Sequence, residues 1–189
     1  MVKTNYDFTQ MSGYTAAQRL RGMVGFVPRH IRLVVLPVMS QLKGAGDLRR
    51  YRKAFLANVA VTFAVGLLAA VPLAVCSRWV MSFYGSEYVG DWDVLVVLLG
   101  VSVIQGVLGI FGQLFVSERK VWWSFYVNLM WAAALTVGAV QLVPKYGIRG
   151  FVWPLLGAYA ISLFMHCIFA RVLLSRQERV GSGEDEPAE

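Results

Sequence analysis

Four stretches of this chain, 54–76, 94–116, 121–143 and 151–174, each reach the ~20 mostly apolar residues that carry a helix across the hydrocarbon of a bilayer. Few strongly polar side chains lie in their middles. They are too long for strands and too evenly apolar for amphipathic surface helices. A soluble core in a chain of this length could not hide four such blocks. Hydrophobic residues make up 57% of the 189 and charged ones 15%, against about 45–50% and about 25% in soluble domains. The expected fold class is all-α, a polytopic transmembrane helix bundle.

A fifth stretch, 13–40, reads as a polar-faced helix. Arg19, Arg21, Arg29, His30 and Arg32 interrupt it, and Pro28 is expected to kink it. Its purely apolar part, 33–39, is too short to span alone. The stretch is expected to enter the membrane among neighbouring helices; the alternative is a helix lying along the interface. Residues 1–12 are expected to be a disordered or broken edge. The main unit is then 13–174, with helices at about 13–40, 54–76, 94–116, 121–143 and 151–174. The tail, 175–189, ends in the acidic GSGEDEPAE, which has no means of building a core.

A net charge of +7 is compatible with nucleic-acid binding, but the distribution argues against it. The cations gather at the ends of apolar blocks, where Lys and Arg hold loops on the cytoplasmic face. Lys43, Arg49, Arg50, Arg52 and Lys53 place the loop 41–53 inside. Loop 77–93 sets Arg78 against Glu87, Asp91 and Asp93 and can be exported. Arg119 and Lys120 return inside, and 144–150 is outside by alternation, although it carries Lys145 and Arg149. Arg171, Arg176 and Arg179 hold the C-terminus in the cytoplasm. If 13–40 also spans, the chain starts outside. The N-terminus lacks the features of a secretory leader, so the chain is expected to be a piece of a larger protein.

Four motifs stand in order between these segments: Gly13-Tyr-Thr-Ala-Ala-Gln-Arg-Leu20 with Leu36-Pro-Val-Met-Ser40, Gly46-Asp-Leu-Arg-Arg50, Phe83-Tyr-Gly-Ser-Glu-Tyr88, and Leu142-Val-Pro-Lys-Tyr-Gly-Ile-Arg-Gly150. Together they resemble the C-terminal part of the polysaccharide repeat-unit flippases, the O-antigen and exopolysaccharide exporters of the multidrug/oligosaccharidyl-lipid/polysaccharide superfamily. Val152-Trp153-Pro154 departs from the small residues usual in that family, and its proline is expected to bend the last helix. In physical terms, each Tyr-Gly pair supplies an interfacial aromatic and a residue tolerant of positive φ.

The resemblance implies a protein of the bacterial inner membrane whose parent flips an undecaprenyl-pyrophosphate-linked oligosaccharide. Its partners would be that lipid-linked oligosaccharide, membrane lipids, and a missing N-terminal lobe or further copies of the chain. Two other classes stay open: a small non-transporting scaffold of a polysaccharide synthesis complex, and a drug/cation antiporter fragment. The antiporter branch relies on acidic membrane residues, and no Asp or Glu lies inside any apolar block.

At about 100° per residue, Gln18, Arg21, Arg29 and Arg32 fall on one face of the first helix. Arginine at membrane depth is costly and normally faces water or a partner. Guanidinium groups bind phosphate bidentately and stay charged, so these residues are candidates for holding a pyrophosphate. Arg19 points to another face, yet Ala17-Gln-Arg-Leu20 is similar to the stretch that puts an arginine in the cavity of the related lipid II flippase. Arg19 therefore joins the candidates.

Gln105, Gln113, Asn128, Gln141 and His166 are expected to hydrogen-bond between helices. Trp122, Trp123, Trp131 and Trp153 read as interfacial anchors or packing, and Gly106, Gly109 and Gly112 as a surface for close helix packing. Cys76 and Cys167 read as inert buried thiols. His166 beside Cys167 does not make a metal site. No catalytic arrangement or nucleotide loop is legible, so neither an enzyme nor a cofactor is expected.

Overall fold

The computed structural model describes residues 8–25, 37–38, 40–42, 44–118 and 120–181. In chain order its elements are α1 (Phe8–Val24), α2 (Leu48–Val75), a short α3 (Ser77–Ser82), a 3-10 helix (Ser86–Asp91), α4 (Trp92–Ser117), α5 (Val121–Tyr146) and α6 (Arg149–Gly181). No strand occurs among the described residues. The helices α2, α4, α5 and α6 are each long and apolar enough to cross a membrane. The bundle is all-α, as its composition requires.

α4 is the central post. Of its most apolar window 61% is buried, against 6% for α5. Near one end of the bundle, Leu95, Leu98, Leu99 and Val101 of α4 pack with Ala17 of α1, Ala70 of α2, Met81 of α3 and Val152 of α6. Toward the other end, Ile110, Phe111 and Leu114 pack with Tyr51 and Phe55 of α2 and Ala170 of α6. The Phe55 and Phe111 rings meet edge to face at 5.5 Å. Hydrocarbon competes with such contacts in a bilayer, so their value lies in close packing and hydrogen bonding. Tyr51 adds a hydrogen bond of 2.9 Å to the Ser117 hydroxyl, fastening the start of α2 to the end of α4.

Small residues set the closest approaches. A Cβ on Gly66 of α2 would sit 3.5 Å from Val103 of α4, and one on Gly138 of α5 would lie 2.7 Å from the Pro154 ring of α6. α5 thus packs along α6 and barely reaches α4. That uneven packing leaves a gap between α4 and α5.

α1 begins beside the 3-10 helix. A Cβ on Gly13 would meet Asp91 and Tyr88, and the Tyr14 ring stands edge-on to Phe151 at 6.0 Å. From there α1 runs toward the middle of α4. Its start, the 3-10 helix and the turn between α5 and α6 share one end of the bundle.

Several boundaries differ from those read in the sequence. α2 starts at Leu48, so Arg49, Arg50, Arg52 and Lys53 form its first turns and are not loop residues. Asp47 is the reason: its carboxylate accepts the Arg50 backbone N–H at 3.0 Å and pairs with the Arg50 side chain at 3.2 Å. Helix already runs from Phe8 in the segment expected to be a broken edge, and α6 continues through 175–181 of the expected tail. Segment 77–93 is built of α3 and the 3-10 helix, with Ser77 and Met81 buried.

Pro154 lies inside α6, which remains one helix through it, and Pro144 occupies the last turn of α5. Both Tyr-Gly pairs do place glycine at positive φ, +142° at Gly85 and +59° at Gly147. The expected kink at Pro28, along with Arg29, His30 and Arg32, lies outside the described residues.

Candidate functional site

The last turn of α1 delivers Arg21 to the middle of the bundle. Its Nη2 donates to Gln105 Oε1 at 2.7 Å. Gln105 stands near the midpoint of α4, about 20 Å from either helix end at about 1.5 Å per residue. Nη1 donates to Gln18 Oε1, one turn back on α1, at 2.9 Å. A guanidinium has no acceptor, so both glutamines must turn their oxygens toward it and their NH₂ groups away. Those groups reach tyrosine hydroxyls: Gln18 Nε2 donates to Tyr14 at 2.5 Å and Gln105 Nε2 to Tyr159 of α6 at 3.2 Å. The result is a continuous relay, Tyr14–Gln18–Arg21–Gln105–Tyr159, across three helices.

Gln18, Arg21 and Gln105 of the relay line one side of a cavity of about 600 Å³ in the gap between α4 and α5. Its size falls in the range of about 300–1,000 Å³ typical of small-ligand sites. The opposite side carries Ser124, Asn128 and Trp131 from α5 and Tyr159, Ser162 and His166 from α6. His166 Nδ1 lies 2.7 Å from the Ser162 carbonyl. An N–H at Nδ1 donates there, which leaves Nε2 of the neutral ring as an acceptor. The ring stacks on Phe115 at 5.3 Å and meets the edge of Phe111.

Gly106, Gly109 and Gly112 form part of the α4 surface of this cavity. At Gly112 the structure departs from the expected close helix packing. A Cβ added at Gly112, or at Gly22 of α1, would have no atom within 4 Å. Missing side chains create room there; a close approach is made at Gly138 instead. Trp131, expected as an anchor or in packing, packs against the Tyr159 ring and lines the cavity. Trp122, Trp123 and Trp153 point outward and are exposed.

Of the residues singled out in the sequence, Gln18 and Arg21 come together on the cavity wall. Arg19 does not join them. It leaves α1 on another face, exposed, beside a smaller hollow of about 310 Å³ with Thr15, Tyr84 and Tyr88. Arg29 and Arg32 are outside the described residues. Gln105 makes the expected cross-helix bonds and lines the cavity as well. Asn128 and His166 line it too. Ser102, Ser124, Ser162 and Tyr159 carried no signal in the sequence beyond an ordinary polar residue within an apolar run.

Among the described residues lining the cavity, Arg21 is the only Lys, Arg, Asp or Glu. Among the described residues its partners are neutral amides, so its charge is uncompensated by any carboxylate. It does lie at the C-terminal end of α1, where the helix dipole favours a cation. Such a site suits a polar, negatively charged ligand group and is unsuited to a cation.

Fold and site together define a helical membrane protein with a polar, cationic cavity at mid-height. No protein-family model matches the chain, and no curated protein or solved structure matches it.

Proposed function

We propose that this chain is the C-terminal-lobe part of a polysaccharide repeat-unit flippase, working on an undecaprenyl-pyrophosphate-linked oligosaccharide in a bacterial inner membrane. The observation that carries the reading is Arg21, a guanidinium at mid-height of the bundle, held by Gln18 and Gln105 on a cavity wall whose described residues include no Asp or Glu. A pyrophosphate head group crossing hydrocarbon needs a fixed cation and a polar surround. Arginine supplies both charge and a planar fork of donors. The amides orient that fork without neutralising it. The four motifs add support from the sequence. A second lobe, from another chain or another copy, would complete the path.

The same observation disfavours a drug/cation antiporter, whose ligand would meet Arg21 with no carboxylate among the described lining residues. A scaffold needs no cavity of this kind.

The test is leaflet transfer of an undecaprenyl-pyrophosphate oligosaccharide in proteoliposomes, read by accessibility of the sugar to an external lectin. The chain is expected to accelerate transfer, alone or with a complementing lobe, and Arg21→Ala to remove the acceleration. Transfer equal to protein-free vesicles in both preparations would leave the scaffold reading standing. Transfer unaffected by Arg21→Ala would sink the role given to the arginine.

A further inference from the structure

On the Arg21 side of the cavity the hydrogen bonds are closed into a relay. The α5 side is different. Ser124, Asn128 and Trp131 are spaced four and three residues apart and share one face of α5. That face lines the cavity, beside Tyr159 of α6. The Trp131 and Tyr159 rings stand 5.3 Å apart with 56° between their planes, forming a wedge of two aromatic surfaces. The Trp131 Nε1–H is buried and has no hydrogen-bond partner among the described residues. A buried donor left unmade is unfavourable, and an acceptor brought by a ligand relieves it. Tyr159 accepts from Gln105 and still has its own proton to give.

We infer that this wall is a saccharide subsite, with a sugar ring laid by its C–H face against Trp131 and Tyr159. A ring hydroxyl accepts the indole N–H after a small turn of the side chain. Asn128 and the Tyr159 hydroxyl serve neighbouring hydroxyls. The ligand class follows from what the wall offers. An acyl chain would bury the amide, hydroxyls and indole N–H without partners. A second anionic group would find no cation among the described lining residues of α5 and α6. A neutral polyhydroxyl ring with an apolar face satisfies both the aromatic surfaces and the donors.

The inference rests on the reading of the cavity as a head-group site and divides it in two: pyrophosphate at Arg21, sugar at Trp131. The relay through Gln105 joins the two parts.

The experiment measures binding by the whole chain in nanodiscs, using three probes. These are undecaprenyl pyrophosphate, the same lipid carrying a trisaccharide, and an uncharged alkyl glucoside below its micelle concentration. Variants are Trp131→Leu, Trp131→Phe and Arg21→Ala, each checked for an unchanged thermal transition. Trp131→Leu is expected to weaken the trisaccharide lipid and the glucoside about tenfold and to spare the sugar-free lipid. Trp131→Phe, which keeps a ring but no N–H, is expected to fall between. Arg21→Ala is expected to weaken both pyrophosphates and spare the glucoside.

Equal effects of Trp131→Leu on the sugar-bearing and sugar-free lipids, or none on either, would overturn the subsite. If the chain takes the glucoside in a Trp131-dependent way but neither pyrophosphate, the subsite stands and the flippase reading falls. Tight binding of both pyrophosphates with indifference to Trp131 has the reverse meaning. Binding of none of the three removes both.

Discussion

Arg149 grips Asp93 across one end of the bundle. Nε lies 2.8 Å from Oδ2, and Nη2 reaches Oδ1 at 3.1 Å and the Gly90 carbonyl at 2.9 Å. The pair ties the first residue of α6 to the first turn of α4. It also explains how a cation sits in a turn whose charge argued against the side that alternation gave it: Asp93 answers it locally. Both side chains are partly exposed, 50% and 28%, so solvent screening holds the pair to about 1 kcal/mol. Asp93→Asn is expected to lower the thermal transition by a matching amount. A double-mutant cycle with Arg149→Gln measures the coupling, which is expected to shrink as salt rises.

Arg21→Lys keeps the charge at the cavity but loses the planar fork that reaches Gln18 and Gln105 from two nitrogens. One such charge-assisted bond contributes about 1.5–3 kcal/mol. Binding of a pyrophosphate lipid is therefore expected to fall about tenfold or more in Arg21→Lys, and further in Arg21→Ala. Gln105→Leu leaves the charge and releases its orientation, so its loss is expected to be smaller than that of Arg21→Ala. Titration calorimetry on the three variants ranks them. An Arg21→Lys chain that binds as wild type would show that charge alone is read.

The glycines divide into two kinds with opposite expected outcomes. Gly112→Leu enters open space, so the fold is expected to survive while the cavity loses volume and ligand binding falls. Gly112→Ala is expected to be neutral or stabilising by up to about 1 kcal/mol through helix propensity. Gly138→Ala must push the Pro154 ring away from α5, and is expected to destabilise by about 1–3 kcal/mol. Thermal unfolding in one detergent compares all three. Equal losses at the two sites would contradict the division.

Gly147 ends α5 at φ +59° and ψ −132°, with its N–H donated to the Val143 carbonyl. An L side chain is strained in that region by about 1–3 kcal/mol. Gly147→Ala is expected to lower the thermal transition accordingly, leaving ligand affinity in the folded fraction unchanged. Affinity falling along with stability would instead couple this turn to the cavity.

The four long helices were legible because length and uninterrupted apolar character leave a bilayer few other solutions. The start of α2 is not legible in that way, because a run of charge reads as the end of an apolar helix. Arg and Lys are good helix formers, and Asp47 caps the turn they make, so the helix extends into them. Half of the site was legible as well. Gln18 and Arg21 are one turn apart, and helical phase alone puts them on one wall and Arg19 on another. The α5 and α6 half was hidden for a different reason. Trp131, Tyr159 and Asn128 look alike whether they face lipid, a neighbour or a cavity. Only the rotation of α5 about its axis decides, and that rotation belongs to its packing along α6, where Gly138 meets Pro154.

Because amides hold Arg21, it carries its full unit of charge into the middle of the bundle. Across a membrane potential, each elementary charge moved costs or gains about 2.3 kcal/mol per 100 mV. Arg21 stays with the bundle, so an anionic group that lodges against it gains affinity while the charge that must be moved is unchanged. The side chain thus sets how long its ligand waits in the field, and the potential sets which way it leaves. Pyrophosphate-lipid binding by an Arg21→Gln chain is expected to weaken by a similar factor with and without an imposed potential.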